Sequence, residues 1–207
     1  MASSAGSGKD TVANELQKRL EKPYKVSLGA PIHEFCQQHY RGEIVPRKVL
    51  QDFGENVRKI FGEDTWIRWC DETIEEASNY SYNVVIISDV RKLTEFAHYV
   101  VELGYLPIYV KVDSIVSRKR LIDRDGGFNE FDLKKSIETQ LNFIENLPSI
   151  SVKEFDKETF KSKLAKVNMT DNGVMNNVYI IDNNGSLEEL REQIEEWMVL
   201  NEEKLFA

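Results

Sequence analysis

Cysteine, histidine and long apolar runs are scarce in this chain, and its positive charge is outweighed by negative. Two cysteines, Cys36 and Cys70, are too few and too far apart for a disulfide framework or a cysteine metal motif, so both are expected as reduced, mostly buried thiols. His33, His39 and His98 share no ligand spacing with one another or with the cysteines and read as ordinary helix residues. With no signal peptide and no apolar run of membrane-spanning length, the expectation is a cytoplasmic protein with no membrane partner. A formal net charge of -8 offers no broad basic field, which argues against a nucleic-acid partner. Any anionic ligand must then be held by local arginines and backbone N–H groups.

What is present suffices for one good-sized domain: 207 residues, 41% of them hydrophobic. Its most informative stretch is Met1 to Thr11, where small residues surround Gly6 and Gly8 and Lys9 follows directly. Glycine lets successive N–H groups converge on one point, and a helix starting there adds the positive end of its dipole, so the point attracts phosphate. The fit to the phosphate-loop pattern G-x-x-x-x-G-K-[ST] is incomplete: Ser3 stands for the first glycine and Asp10 for the magnesium-binding hydroxyl, with Thr11 one place later. Only Met1 and Ala2 precede Ser3, so either the central strand is formed by Met1 to Ser4 alone or part of the natural N-terminus is missing. A Gly/Ser-rich stretch running into a capped helix is the alternative.

Along the chain, apolar positions at Val12, Leu16 and Leu20 predict a helix from Gly8 to about Glu21. A strand over Tyr24 to Leu28 turns at Gly29 into a helix from about Ile32. Two helices are predicted between Pro46 and Tyr80, joined at Phe61 to Asp64 with Asp64 as N-cap. Arg47, Gln51, Arg58, Trp66, Arg68 and Trp69 within them combine guanidinium groups with aromatic faces, which suits either a phosphate with a stacked base or a solvated face over a core. The apolar run Val84 to Ile87 predicts a buried strand ending in Asp89 and Arg91, placed to organise magnesium and to grip a phosphate; Asp89 as cap of a helix near Lys92 is the alternative. Leu106 to Val112 predicts another strand, and the helix from Ser114 carries Arg118, Lys119, Arg120 and Arg124 before Asp125-Gly126-Gly127 breaks it as a hinge. A helix over 129–146 and a polar, peripheral insertion over 149–177 follow. Val178 to Ile181 predicts the last strand, and Ser186 with Glu189 a capping box. Strands alternating with helices give an α/β fold with a parallel five-stranded sheet.

Together, Gly6-Ser7-Gly8-Lys9-Asp10-Thr11, Asp89-Val90-Arg91, Arg120 to Gly126 and Asp182 to Leu190 resemble the P-loop nucleoside monophosphate kinase superfamily. The first stretch, Leu50 to Gly54 leading to Asp64-Thr65-Trp66, and the Asp-x-Arg strand end resemble the phage-type deoxynucleoside monophosphate kinases; the Arg120 and Asp182 stretches resemble dephospho-coenzyme A kinase. The resemblance implies a three-layer P-loop NTPase fold with helices on both faces of the sheet, one domain over 1–207, a monophosphate-binding helical insert at about 30–80 and a lid at about 114–130. It implies transfer of the ATP γ-phosphoryl group, with Mg2+, to the 5′-phosphate of a (deoxy)nucleoside monophosphate. Ser4, Ala5, Gly6, Ser7, Gly8 and Lys9 would hold the donor phosphates, with Asp10, Thr11 and Asp89 near magnesium. Arg58 and Arg91 would hold the acceptor phosphate, Gln51 and Trp66 its sugar or base, and Arg120 and Arg124 would close over the migrating group, while Asn183, Asn184 and Gly185 border adenine. A dephospho-coenzyme A kinase and a non-catalytic nucleotide binder are the competing expectations. Oligomeric state stays open, a homodimer included.

Overall fold

A computed structural model of the chain describes residues 1–3, 6–125 and 178–205. In order, the elements are β1 (Ala2–Ser3), α1 (Lys9–Arg19), β2 (Pro23–Val26), α2 (Ala30–His39), α3 (Arg47–Phe61), α4 (Thr65–Ala77), β3 (Val84–Ile87), α5 (Leu93–Phe96), β4 (Ile108–Lys111), α6 (Ser114–Asp125), β5 (Tyr179–Asp182), α7 (Leu187–Leu200) and α8 (Glu202–Leu205). A 3-10 turn, Ser78–Tyr80, follows α4, and a π-helical turn, Ala97–Glu102, continues α5. The predicted helix over 129–146, the insertion over 149–177, the hinge glycines and the end of the lid lie outside the described residues.

The chain divides into two compact units, Met1–Leu20 with Val90–Ala207, and Glu21–Asp89. In the first, β4 is the middle strand of a parallel sheet of order β1-β4-β5, with Ala2 opposite Tyr109 and Ile108 opposite Tyr179. Val110 and Ile181 are fully buried, as strands covered on both faces require. Helix α1 presents Val12 and Leu16 to the core while α7 presents Leu190 and Ile194, and the two helices pack on each other. Between them the buried Glu15 carboxylate takes Lys18 Nζ at 2.6 Å, Arg19 Nη1 at 2.7 Å and Arg191 Nε at 3.1 Å. The capping box on α7 forms as predicted, Ser186 Oγ accepting the Glu189 N–H and Glu189 Oε2 accepting the Ser186 N–H.

The second unit holds a parallel ladder of β2 on β3, with Pro23 opposite Val84 and Val26 opposite Ile87. Helices α2 and α3 approach closely at Gly54, where a Cβ would stand 2.8 Å from Ile32 Cδ1. Trp66 from α4 fills the space beside it, donating its Nε1–H to the Gly54 carbonyl at 3.2 Å. Asp64 does occupy the N-cap position of α4 but makes no side-chain cap bond; its carboxylate lies 3.4 Å from Arg68 Nε instead.

All five strands are present and each pairs in parallel with its ladder neighbours, but the described ladders form a three-stranded and a two-stranded sheet where the sequence predicted one sheet of five. Strand β1 is only two residues long and its ladder is with β4; just before it, the Met1 carbonyl accepts the Val90 N–H at 3.0 Å.

Candidate functional site

The N-terminal strand, glycine turn and helix form as the sequence requires. Gly6 and Gly8 take left-handed φ values of 75° and 83°, and Gly8 is the residue that opens α1. Neither position has room for a side chain. A Cβ on Gly6 would stand 2.9 Å from the Ser117 carbonyl oxygen of α6, and one on Gly8 would stand 2.3 Å from Asn183 Nδ2. The loop is thus pressed between α6 and the end of β5, with its backbone shape set by what touches it.

Those contacts are specific. Asn183, 7% exposed, donates its Nδ2–H to the Ser7 carbonyl at 2.7 Å, while Arg120 Nη2 donates to the Asn183 carbonyl at 2.9 Å. Ser7 is 1% exposed, yet its hydroxyl has no hydrogen-bond partner among the described residues, and neither has Arg120 Nη1. Burying a polar group without a partner costs about 1–3 kcal/mol, so two of them at one glycine turn mark a place where something else supplies acceptors. Arg120 Nη1 lies 3.7 Å from where a Gly8 Cβ would stand, which puts the free N–H beside the loop. A polyphosphate has the charge and the acceptors that this group of donors needs, so the residues present fit a nucleotide's phosphates.

Lys9 lies largely covered, with its Nζ at 2.8 Å and 2.9 Å from the two oxygens of an exposed Asp10. An exposed ion pair is worth about 0–1 kcal/mol, so a phosphate group would draw the amine away readily. Thr11 is exposed on the first turn of α1, its N–H bonded to the Gly8 carbonyl. Arg124 stands four residues beyond Arg120 on α6. Arg91 is exposed, and its backbone N–H donates to Glu95 Oε2 at 2.8 Å. Beyond β5, Asp182 Oδ1 accepts the Asn184 N–H, Asn184 Oδ1 accepts the Asp113 N–H, and Gly185 follows against Glu189. Ser4 and Ala5 lie outside the described residues.

In the second unit two of the expected site residues are engaged within the protein itself. Trp66 is 6% exposed with its indole N–H already used, so its ring belongs to the helical core and offers no open face to a base. Asp89 is committed to the turn between β2 and α2: its carboxylate accepts Leu28 N–H at 2.7 Å, Gly29 N–H at 2.9 Å and Ser27 Oγ–H at 2.8 Å. Nor does Asp89 cap the helix near Lys92; Glu95, buried, accepts the N–H groups of both Arg91 and Lys92. Arg58 lies on α3 with Nη1 at 2.9 Å from Glu55 Oε1, and Gln51 is seven residues before it on the same helix face.

Sequence reasoning passed over Glu95, Phe35 and the side chain of Asn183. Glu95 carried a signal, an acid three residues after the first helical N–H. Phe35 is 48% exposed and stacks on Phe53, ring centres 4.7 Å apart and planes within 10°. Its exposure follows from which face of α2 meets α3, which local periodicity leaves open. Asn183 reaches Ser7 across 176 residues of sequence, and no local pattern encodes that bond.

No family model matches this chain. A UPF0200 protein of Saccharolobus islandicus (strain Y.G.57.14 / Yellowstone #1) is 27% identical over 194 residues, 92% of this chain and 86% of that protein. A UPF0200 protein of Saccharolobus solfataricus is 26% identical over 194 residues, with the same shares of 92% and 86%. Among solved structures, TT1252 from Thermus thermophilus covers 96% of this chain and 94% of its own at 16% identity, with a TM-score of 0.46. Shikimate kinase from Bacteroides thetaiotaomicron covers 97% and 96% at 14% identity, with a TM-score of 0.45. Likeness at these levels assigns neither a family nor an activity. Among the described residues no helix is long and apolar enough to cross a membrane.

Proposed function

We propose that the chain is an ATP-dependent phosphotransferase that moves the γ-phosphoryl group to the 5′-phosphate of a (deoxy)nucleoside monophosphate. The observation that carries the reading is the glycine turn Gly6–Gly8, where the buried Ser7 hydroxyl and Arg120 Nη1 lack partners among the described residues and Lys9 stands one residue on. When bound, ATP supplies the phosphoryl group. The chain's own part is to neutralise and align two anions that repel each other. In this reading the backbone of the Ser4–Gly8 stretch, Lys9 and Arg120 hold the donor phosphates, while Arg124 adds charge over the transferring group. Thr11 and Asp10 would hold magnesium, which would neutralise charge on the phosphates. Asn183, Asn184 and Gly185 border the adenine through backbone atoms.

For the acceptor, Arg91 and Arg58 bind phosphate and Gln51 the sugar. Phe35, an exposed aromatic of α2 that stacks on Phe53, takes the stacking role first given to Trp66. Asp89 acts by holding the Ser27–Gly29 turn in shape. An enzyme is favoured over a non-catalytic binder because β1, though only two residues long, does form in parallel pairing with β4.

The test is transfer from labelled ATP to a panel of deoxy- and ribonucleoside monophosphates, with dephospho-coenzyme A included. Turnover on a monophosphate is expected, with Lys9→Ala reducing it by at least a hundredfold and Arg91→Ala acting mainly through the acceptor. Transfer to dephospho-coenzyme A alone would move the acceptor assignment, and ATP binding without transfer to any acceptor would refute the activity.

A further inference from the structure

The loop between β1 and α1 has a weakness: Ser7 is flanked by Gly6 and Gly8, the two residues of the turn with the widest backbone freedom. A peptide plane between such neighbours rotates easily. In a trans peptide the carbonyl of one residue and the N–H of the next point in opposite directions, so whatever fixes the Ser7 carbonyl also fixes the Gly8 N–H. Here that partner is Asn183, whose buried amide donates to the Ser7 carbonyl at 2.7 Å.

Asn183 is itself firmly held. Its N–H donates to the Lys111 carbonyl at 2.9 Å, extending the β4–β5 pairing, and its carbonyl accepts Arg120 Nη2 at 2.9 Å. One residue at the end of β5 therefore sets the loop's shape through its side chain and Arg120's place through its backbone. Fit is tight: with a Gly8 Cβ position only 2.3 Å from Asn183 Nδ2, the amide rests directly on the loop.

We propose that Asn183 is a positioning residue that presets the phosphate-binding loop, keeping the Gly8 N–H turned toward the donor phosphates without its side chain touching the nucleotide. The inference rests on the phosphotransferase reading for its ligand and goes beyond it by giving Asn183 a role separate from the adenine border. It predicts a selective defect. Asn183→Ala should weaken binding of tripolyphosphate, which has no base, about tenfold, and raise the KM for ATP by a similar factor while the KM for the acceptor stays put. Asn183→Asp, equal in size but aiming a carboxylate at the Ser7 carbonyl, should be at least as impaired, and serves if the alanine variant does not fold.

Calorimetric titration of the full chain with tripolyphosphate and with ATP, together with steady-state kinetics, makes the test. Wild-type affinity for tripolyphosphate in both variants would overturn the proposal. So would a loss seen with ATP but not with tripolyphosphate, which would put Asn183 at the base, or an equal rise in both KM values, which would make its role merely structural. Wild-type protein that binds neither ligand would refute the phosphate-loop reading itself and this inference with it.

Discussion

Replacing Gly8 by alanine tests the geometry of the loop without reference to any ligand. The substitution asks an L-residue to hold a φ of 83°, which costs about 1–2 kcal/mol. It also sets a Cβ 2.3 Å from Asn183 Nδ2, so the amide must leave. The buried Ser7 carbonyl then loses its donor at about 1–3 kcal/mol, bringing the total to about 2–5 kcal/mol. Against a typical domain stability of about 5–15 kcal/mol the variant still folds, but its urea midpoint falls with the slope unchanged. Gly8→Ala, Asn183→Ala and the double variant form a cycle. Both single changes delete the same hydrogen bond, so the double variant should cost about 1–3 kcal/mol less than their sum. A Gly8→Ala protein within about 0.5 kcal/mol of wild type, or costs that add within about 0.5 kcal/mol, would show that the amide is not what presses on Gly8.

Two further predictions concern carboxylates. Hydrogen bonds from Lys18, then Arg19 and Arg191, pull the Glu15 pKa from 4.5 down to about 2 in the folded chain, against the opposing effect of burial. Its stabilising contribution is complete above about pH 4.5 and disappears as the pH falls through about 2, so Glu15→Gln should flatten the acid side of the stability profile in that window. Urea midpoints at stepped pH would check this; a wild-type slope in the variant would rule it out. Asp89→Asn should destabilise the protein by about 1–3 kcal/mol with neither nucleotide nor metal present, since it takes charge and an acceptor from three donors in the Ser27–Gly29 turn. An unchanged urea midpoint there, with the magnesium-dependent transfer nonetheless lost, would return Asp89 to the metal.

Much of the layout was legible from sequence. Val12, Leu16 and Leu20 repeat at helical spacing, and all three are buried, the first two on α1 and Leu20 at its C-cap. The run Val84 to Ile87 reads as a strand because nothing polar interrupts it, and the Ser186–Glu189 pair announces the start of α7. Side-chain fate was harder. Trp66 sits among arginines in sequence, but Gly54 opens a slot on the neighbouring helix that takes the indole, a fact of packing between helices which neither helix encodes alone. An acid at the end of a buried strand was read as chemistry, although the donors it satisfies come from a turn 60 to 62 residues earlier. The loop's glycines were recognised for their freedom. Their second requirement, closeness to Ser117 and Asn183, depends on elements far along the chain.

The grip of Asp89 on Ser27, Leu28 and Gly29 also affects competition among solutes. A turn with two N–H groups and a hydroxyl aimed at one spot would ordinarily collect sulfate or inorganic phosphate from the medium. Here the chain stoppers that seat with an oxygen pair of its own. With the Ser27 hydroxyl and the Leu28 and Gly29 N–H groups already taken, a free oxyanion would have to displace a covalently tethered carboxylate to use that corner.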